Sequence, residues 1–345
     1  MRTLIAAWAT LAVASTAGAA FAQEPRNYKA EYDEAVQTAK TAARFEHLGL
    51  LNRLCVLPPS NAENTSDEPA AYITDPTRVP ARDTWYMEPA QVFDDLYFVG
   101  GKVHSAWALQ TSDGIILIDT IYPYNSEELI IDGMHKLGLD PADIKYVVIS
   151  HAHGDHIGGV EIVQAASGAP VVMGAADWDL VTKYPKRFTA MTPDASTGIR
   201  VDEQMDLTLG DTTLQIFPTP GHTPGTLSYI FTVHDFGRPV TVAYAGGTAF
   251  NFPTASPDPG IPNLQAYMDS QEAFVATATE AGASVLISNH SEFDSASNKI
   301  RMMAGRGYGP HPFENGAESV ADYFQVMKSC ARAKQITLEE IRDKP

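Results

Sequence analysis

From residue 91 onward the chain alternates short apolar runs with amphipathic stretches. VFDDLYFVG (92–100), SAWALQT (105–111) and GIILIDT (114–120) are broken by Gly, Asp and Ser, which predicts strands joined by tight turns. NSEELIIDGMHKLGL (125–139) is amphipathic with helical spacing, with Asn125 or Ser126 as N-cap and Gly138 near its end. KYVVIS (145–150) reads as a buried strand, followed by a helix (159–168), a strand (169–174) and another helix (176–184). The second half repeats the alternation: a hairpin over 205–219 turning at Gly210-Asp211, strands at 226–233 and 239–246, a long helix over 263–282, a strand at 284–290 and a closing helix at 318–334. Strands and helices that alternate within both halves argue for a layered α/β domain.

Upstream the pattern differs. Residues 27–54 are dominated by Ala, Glu, Lys and Leu and predict a helix, whereas 57–84 are rich in Pro, Asn, Asp and Thr and predict an irregular wrap. The chain thus divides into a leader at 1–22, an extension at 23–89 that packs on the main domain, and a main domain at 90–345. The leader has a basic Arg2, an apolar stretch from Leu4 to Val13 and small residues ending in AFA before Gln23. That is the pattern of a secretory signal cut near Ala22-Gln23, and it predicts a periplasmic or secreted protein. The apolar run is too short for a membrane span, and no later segment suits one.

Composition narrows the function. A formal net charge of −18 repels phosphate backbones and anionic membranes, and KYPKR (183–187) is too short a basic stretch to offset it. No nucleic-acid or membrane partner is expected; oligomeric state is left open. The two cysteines, Cys55 and Cys330, can pair in an oxidising compartment, stapling the extension to the last helix, or stand as separate buried thiols.

The chemistry concentrates in SHAHGDHIGG (150–159), directly after the apolar run YVVI. His151, His153, Asp155 and His156 fall within six positions at the C-terminal end of a strand, where layered α/β proteins gather ligands. Imidazole and carboxylate are the zinc donors of choice without thiolate, although the same set can hold manganese or iron. Four donors so close in sequence cannot all close on one tetrahedral ion without strain, but they can serve two neighbouring ions. That requires further ligands downstream. His222, in PTPGHTPG (218–225), and His290, in SNHSEFD (288–294), each follow a strand. Alone, such a histidine is ordinarily a surface or hydrogen-bonded residue; beside the cluster each becomes a ligand candidate. His47, His104, His135, His234 and His311 lack that context and read as structural or surface residues, with His311 also a candidate pocket residue.

H-x-H-x-D-H after a buried strand, then GHTPG, then a strand-end histidine, resembles the metallo-β-lactamase superfamily over roughly residues 90–295. The resemblance implies a four-layer αββα sandwich with two zinc ions per chain at one edge of its sheets. By the family pattern His151, His153 and His222 hold the first, and Asp155, His156 and His290 the second. His153, Asp155 and His222 are then the residues closest to catalysis, with Asp119 supporting the ligands or simply initiating the turn before Thr120, and Ser150 and Thr223 as weaker candidates for support. Many superfamily hydrolases carry an Asp bridging both metals in a stretch that matches YAGGTAF (244–250), where this chain has Gly247. That absence, the two flanking histidines His151 and His156, and the lack of a cysteine ligand resemble the third (B3) subclass of β-lactamases. The usual serines of that subclass are missing from Gly247 to Ala249, where only Thr248 has a hydroxyl. The expected activity is attack of a zinc-activated hydroxide on the amide or ester carbonyl of a small cyclic substrate. β-Lactam ring hydrolysis, and so antibiotic resistance, is the first reading. A periplasmic lactonase, esterase or thioesterase is the alternative, and a non-catalytic zinc-binding protein a remote one. Tyr122, Trp178, Phe250 and Phe252 are candidate apolar walls, and the 301–316 segment a candidate cover.

Overall fold

A computed structural model describes residues 26–58, 61–62 and 64–344; the leader read at 1–22 lies outside the described residues. Two sheets form the centre. The first has seven strands in sequential order: β1 (Ala90–Gln91), β2 (Leu96–Phe98), β3 (Trp107–Thr111), β4 (Gly114–Ile118), β5 (Ile144–Val148), β6 (Val171–Gly174) and β7 (Ile199–Val201). The second has five: β8 (Met205–Leu209), β9 (Thr212–Pro218), β10 (Leu227–Asp235), β11 (Arg238–Ala245) and β12 (Val285–Ser288), in the order β12-β11-β10-β9-β8.

Alternation along the strands builds the layers. Trp107, Leu109, Ile116 and Ile118 meet Tyr229, Phe231, Val242 and Tyr244 of the other sheet in one core. Their neighbours Ala108, Ile115 and Leu117 face the opposite way, onto Ile130, Ile157 and Val163 in the outer helices of the first sheet. Ile230, Ala243 and Ala245 do the same for the second sheet, against Leu264, Phe274 and Phe324. Period-two side-chain projection with apolar residues on both faces gives the αββα sandwich.

Several elements differ from the sequence reading. VFDDLYFVG is not one strand: it turns at 92–95, and Val92 and Phe93 both donate back to Leu96 O. β7 follows a turn-rich stretch too irregular to announce it. The first helix ends at Ala43, where Arg44 takes φ +45°, and a new start at Leu48 leads to Cys55. That break carries Cys55 beneath the last helix, Ala317–Asp343, where it forms a disulfide with Cys330 across 275 positions. The helical segment spans Pro257–Glu280, with a kink at Asp258 (φ −113°, ψ 117°), so it starts ahead of 263 and carries Pro262 within its N-terminal part. Among the described residues no helix is long and apolar enough to cross a membrane.

None of residues 301–316 lines the cavity at the histidine cluster. Arg306 donates to both oxygens of Asp235 at 2.8 and 2.7 Å. His311 stacks on Phe93 at 4.0 Å and is held at Nε2 by Val92 O. An ion pair and a stacked ring fasten the segment to the turn ends of β1–β2 and β10–β11. His311 is therefore a buried structural residue, not a pocket one.

Candidate metal centre

Three strand ends meet at one edge of the sandwich. The loop after β5 brings His151, His153, Asp155 and His156, the turn after β9 brings His222, and the end of β12 brings His290. His222 Nε2 lies 3.0 Å from His151 Nε2 and 3.1 Å from His153 Nδ1. Alongside, Asp155 Oδ2 lies 3.4 Å from His156 Nε2 and 3.3 Å from His290 Nε2, and those two nitrogens are 3.1 Å apart. The structure thus brings all six residues together as two adjoining groups. It also brings in His104, set aside in the sequence, whose Nε2 is 3.4 Å from Asp155 Oδ2. No local signal marks it: GGKVH resembles an ordinary turn.

The far nitrogens fix the rings. His151 Nδ1–H donates to Gly246 O at 2.9 Å and His222 Nδ1–H to Ala249 O at 2.6 Å. A carbonyl can only accept, so each ring must carry its proton on Nδ1 and turn a free Nε2 lone pair inward. His156 Nδ1–H donates to Asp119 Oδ2 at 2.9 Å. Asp119, fully buried and at φ +61°, also accepts from Ser150 N, Ser150 Oγ and Tyr244 OH at 2.7, 2.8 and 3.0 Å.

A second buried carboxylate escaped the sequence reading. Asp177, on the helix Ala175–Lys183, accepts from Ala152 N at 2.7 Å, Thr223 Oγ1 at 2.8 Å and Gly225 N at 2.9 Å. It clamps the two histidine loops to each other. Its sequence neighbourhood reads as an ordinary helix, so nothing local reveals the role.

Electrostatics separates the two groups. Burial, reinforced by neighbouring imidazoles, holds His151 and His222 well below the usual histidine range. Burial also lowers His153 to about 4, although Asp155 opposes it. Burial likewise opposes charge on His156, but Asp155 and Asp119 outweigh it and raise that ring to about 10. Burial would raise Asp155 too; His156 and His290 win and hold it well below the usual carboxylate range. One group is an array of neutral donors, the other an ionised carboxylate ringed by imidazoles.

These residues suit zinc. Donors about 2.0–2.1 Å from a tetrahedral ion lie about 3.3–3.4 Å apart, and the spacings here cluster near that value. There is no room for a bridging carboxylate at Gly247, where a Cβ would stand 2.5 Å from His222 Cβ and 2.7 Å from Thr226 Cγ2. Thr248 does not replace the missing serines: its buried hydroxyl pairs with Tyr323 OH at 2.9 Å, away from the opening.

A cavity of about 710 Å³ opens on the three-histidine group. Its walls include Tyr184, Arg187, Phe188, Met191 and Phe252, and also Asn64, Ser66, Glu68 and Tyr72 of the extension. The strap is held by Arg187, whose Nε donates to Ser66 O at 2.8 Å and Nη2 to Asn64 O at 3.0 Å, and by Asp67, which accepts from Lys186 N at 2.9 Å. Of the expected walls Phe252 lines the cavity, whereas Trp178 and Phe250 are buried in packing.

The metallo-β-lactamase superfamily domain matches residues 99–283, and the chain belongs to that superfamily of hydrolases. Among solved structures it is similar to BJP-1, a subclass B3 metallo-β-lactamase of Bradyrhizobium japonicum, with 30% identity over 74% of this chain and 92% of that one and a TM-score of 0.57. FEZ-1 metallo-β-lactamase from Legionella gormanii shares the fold at 20% identity and a TM-score of 0.62, over 73% of this chain and 97% of that one. An N-acyl homoserine lactonase of Bacillus sp is 25% identical over 45% of this chain and 68% of its own length. The chain spans about half to two thirds of the length of the curated relatives it matches.

Proposed function

We propose that this chain is a secreted dinuclear zinc hydrolase that opens the ring of a small cyclic amide, with β-lactams as its substrates. His151, His153 and His222 hold the first ion and Asp155, His156 and His290 the second. Zinc bound there supplies Lewis acidity and lowers the pKa of water to about 7. The chain does the rest. Gly246 O and Ala249 O keep His151 and His222 in the donor tautomer, and Asp119 does so for His156. Asp155, held ionised, is the carboxylate available to orient the attacking water and take its proton. Tyr184, Phe188, Met191 and Phe252 exclude bulk water from the reacting carbonyl.

The observation that carries the reading is the three-imidazole group beside Asp155 with no space for a bridging carboxylate at Gly247. Arg187 favours a substrate bearing a carboxylate, as β-lactams do. Its guanidinium is positioned by carbonyls and stacks on Tyr184 at 4.2 Å at the cavity wall, where Lys183 and Arg187 outnumber Glu68. A lactonase reading is favoured instead by Thr248, whose hydroxyl pairs with Tyr323 rather than facing the cavity, and by the likeness to the Bacillus lactonase.

Zinc-loaded protein assayed side by side on a carbapenem, a cephalosporin, an N-acyl homoserine lactone and a thioester decides between them. The β-lactams are expected to turn over fastest, with activity lost in EDTA and restored by zinc. A preference for the lactone moves the assignment to the second reading; full activity in chelator ends both.

A further inference from the structure

We propose that His104 is a fourth protein donor at the second metal position, beside Asp155, His156 and His290; the inference rests on the dinuclear reading above. The chain builds a dedicated device to bring this ring in. Between β2 and β3 it makes a tight excursion, closed where Val99 N donates to Ala106 O at 2.9 Å and Gly101 N to His104 O at 2.8 Å. A side chain at residue 100 would put its Cβ 2.5 Å from Ala106 N, and one at residue 101 would meet Trp85 O at 2.7 Å. Only the Gly100-Gly101 pair lets the turn close.

The excursion is then sewn to the end of β12. Ser105 N donates to Asn289 O at 3.0 Å and Ser291 N to Val103 O at 2.7 Å, so His104 and His290 stand opposite each other as an antiparallel pair. Both hydrogen bonds come from flanking residues. In that kind of pair the two side chains lie closest and project to the same face. The rings sit 4.9 Å apart between centroids, and Tyr122 packs edge-on against His104 at the same distance.

Distances distinguish a ligand from a hydrogen-bonding neighbour. His104 Nε2, His156 Nε2 and His290 Nε2 lie 3.4, 3.4 and 3.3 Å from Asp155 Oδ2. A charge-assisted N–H···O bond would draw an imidazole to about 2.7–2.9 Å. Co-ligands of one zinc at about 2.0–2.1 Å keep about 3.3–3.4 Å between them. Toward Asp155, His104 follows the second spacing and is no farther than His156, and the ligand atoms of His104, Asp155 and His290 all lie within 4.8 Å of one another. A fourth protein donor would leave this position fewer places for solvent than the three-imidazole position, whose His153 and His222 line the cavity.

Protein loaded with ¹¹³Cd²⁺ tests this by counting the histidine rings coupled to each ion in heteronuclear NMR. Three rings on each are expected, with the sixth assigned by its loss in His104→Gln. Two bound ions with only five coupled rings overturn the inference and leave the dinuclear reading standing. Fewer than two bound ions overturn both. In competition with a chromophoric chelator, His104→Ala is expected to hold its second zinc at least about tenfold more weakly and its first unchanged; wild-type affinity for both contradicts the proposal. The ring count is made on the wild-type protein, so it does not depend on the folding of a variant.

Discussion

The two halves of the centre are held by different means. In the three-histidine half, two rings are locked by main-chain carbonyls, at Gly246 and Ala249. In the other half the support is a side chain, Asp119, for His156, while His290 Nδ1 is buried without a hydrogen-bond partner among the described residues and stands 3.9 Å from Glu292 Oε1. Backbone acceptors cannot be removed by changing a side chain. Side-chain acceptors can be removed one at a time. Ring orientation at His151 and His222 is therefore set by the backbone, while Asp177 clamps their loops, and ring orientation at His156 rests on a side-chain network that a single substitution can loosen.

The largest effect should come from cutting the first half. His153→Ala removes one of three donors and with it several kcal/mol of charge stabilisation; about 4 kcal/mol corresponds to about 1000-fold in rate. Turnover and metal content measured together should fall together, and wild-type zinc content with a wild-type rate in this variant contradicts the assignment. Asp119→Asn should act mainly on the second half, through His156, weakening its metal or the rate by about 10–100-fold. Stepwise zinc titration reads this out: an equal loss from both positions would erase the contrast between the halves.

The metal-free protein should show the same contrast in its pH dependence. A free imidazole titrates near about 6.5, and His153 is held at about 4 in the fold. Within that window the unfolded chain binds more protons than the native one, so the contribution of His153 is present above it and lost as pH falls through it. His156, raised to about 10, has the opposite sign: its contribution is present below about 6.5 and lost as pH rises towards 10. Denaturant midpoints of metal-free protein across this range should pass through a maximum, and removing His156 should flatten the alkaline limb. An alkaline limb unchanged without His156 would refute the attribution.

The smallest effect concerns the cavity rather than the metals. Arg187→Ala should raise KM for a carboxylate-bearing β-lactam by about tenfold, the equivalent of about 1.4 kcal/mol, with less change for an uncharged lactone. Equal shifts on both substrates would mean that Arg187 serves only to hold the strap through Ser66 and Asn64.

Much of this architecture was legible before the fold was known. The apolar alternation of β3, β4, β5, β10 and β11 is strong because both faces of those strands are buried, and glycine or acidic residues punctuate their ends. The short strands β1 and β7 were not legible: each has three residues or fewer, and pairing with a longer neighbour defines them more than their own pattern does. The continuous helix read over 27–54 failed because Arg44 adopts a backbone conformation that helical propensity does not foresee.

What the chain alone determined is the loop His151 to His156, because its donors share a few consecutive positions and their spacing is a local property. His222 and His290 could be added since each directly follows a strand, and strand ends collect at one edge of an α/β sandwich. His104, Asp177 and the strap at Asn64–Tyr72 were decided only by the tertiary structure. Their partners lie on other elements, and their own neighbours in sequence carry no sign of them. A ligand loop is written in adjacent residues. The groups that close, clamp and wall it act across distances in sequence that only folding removes.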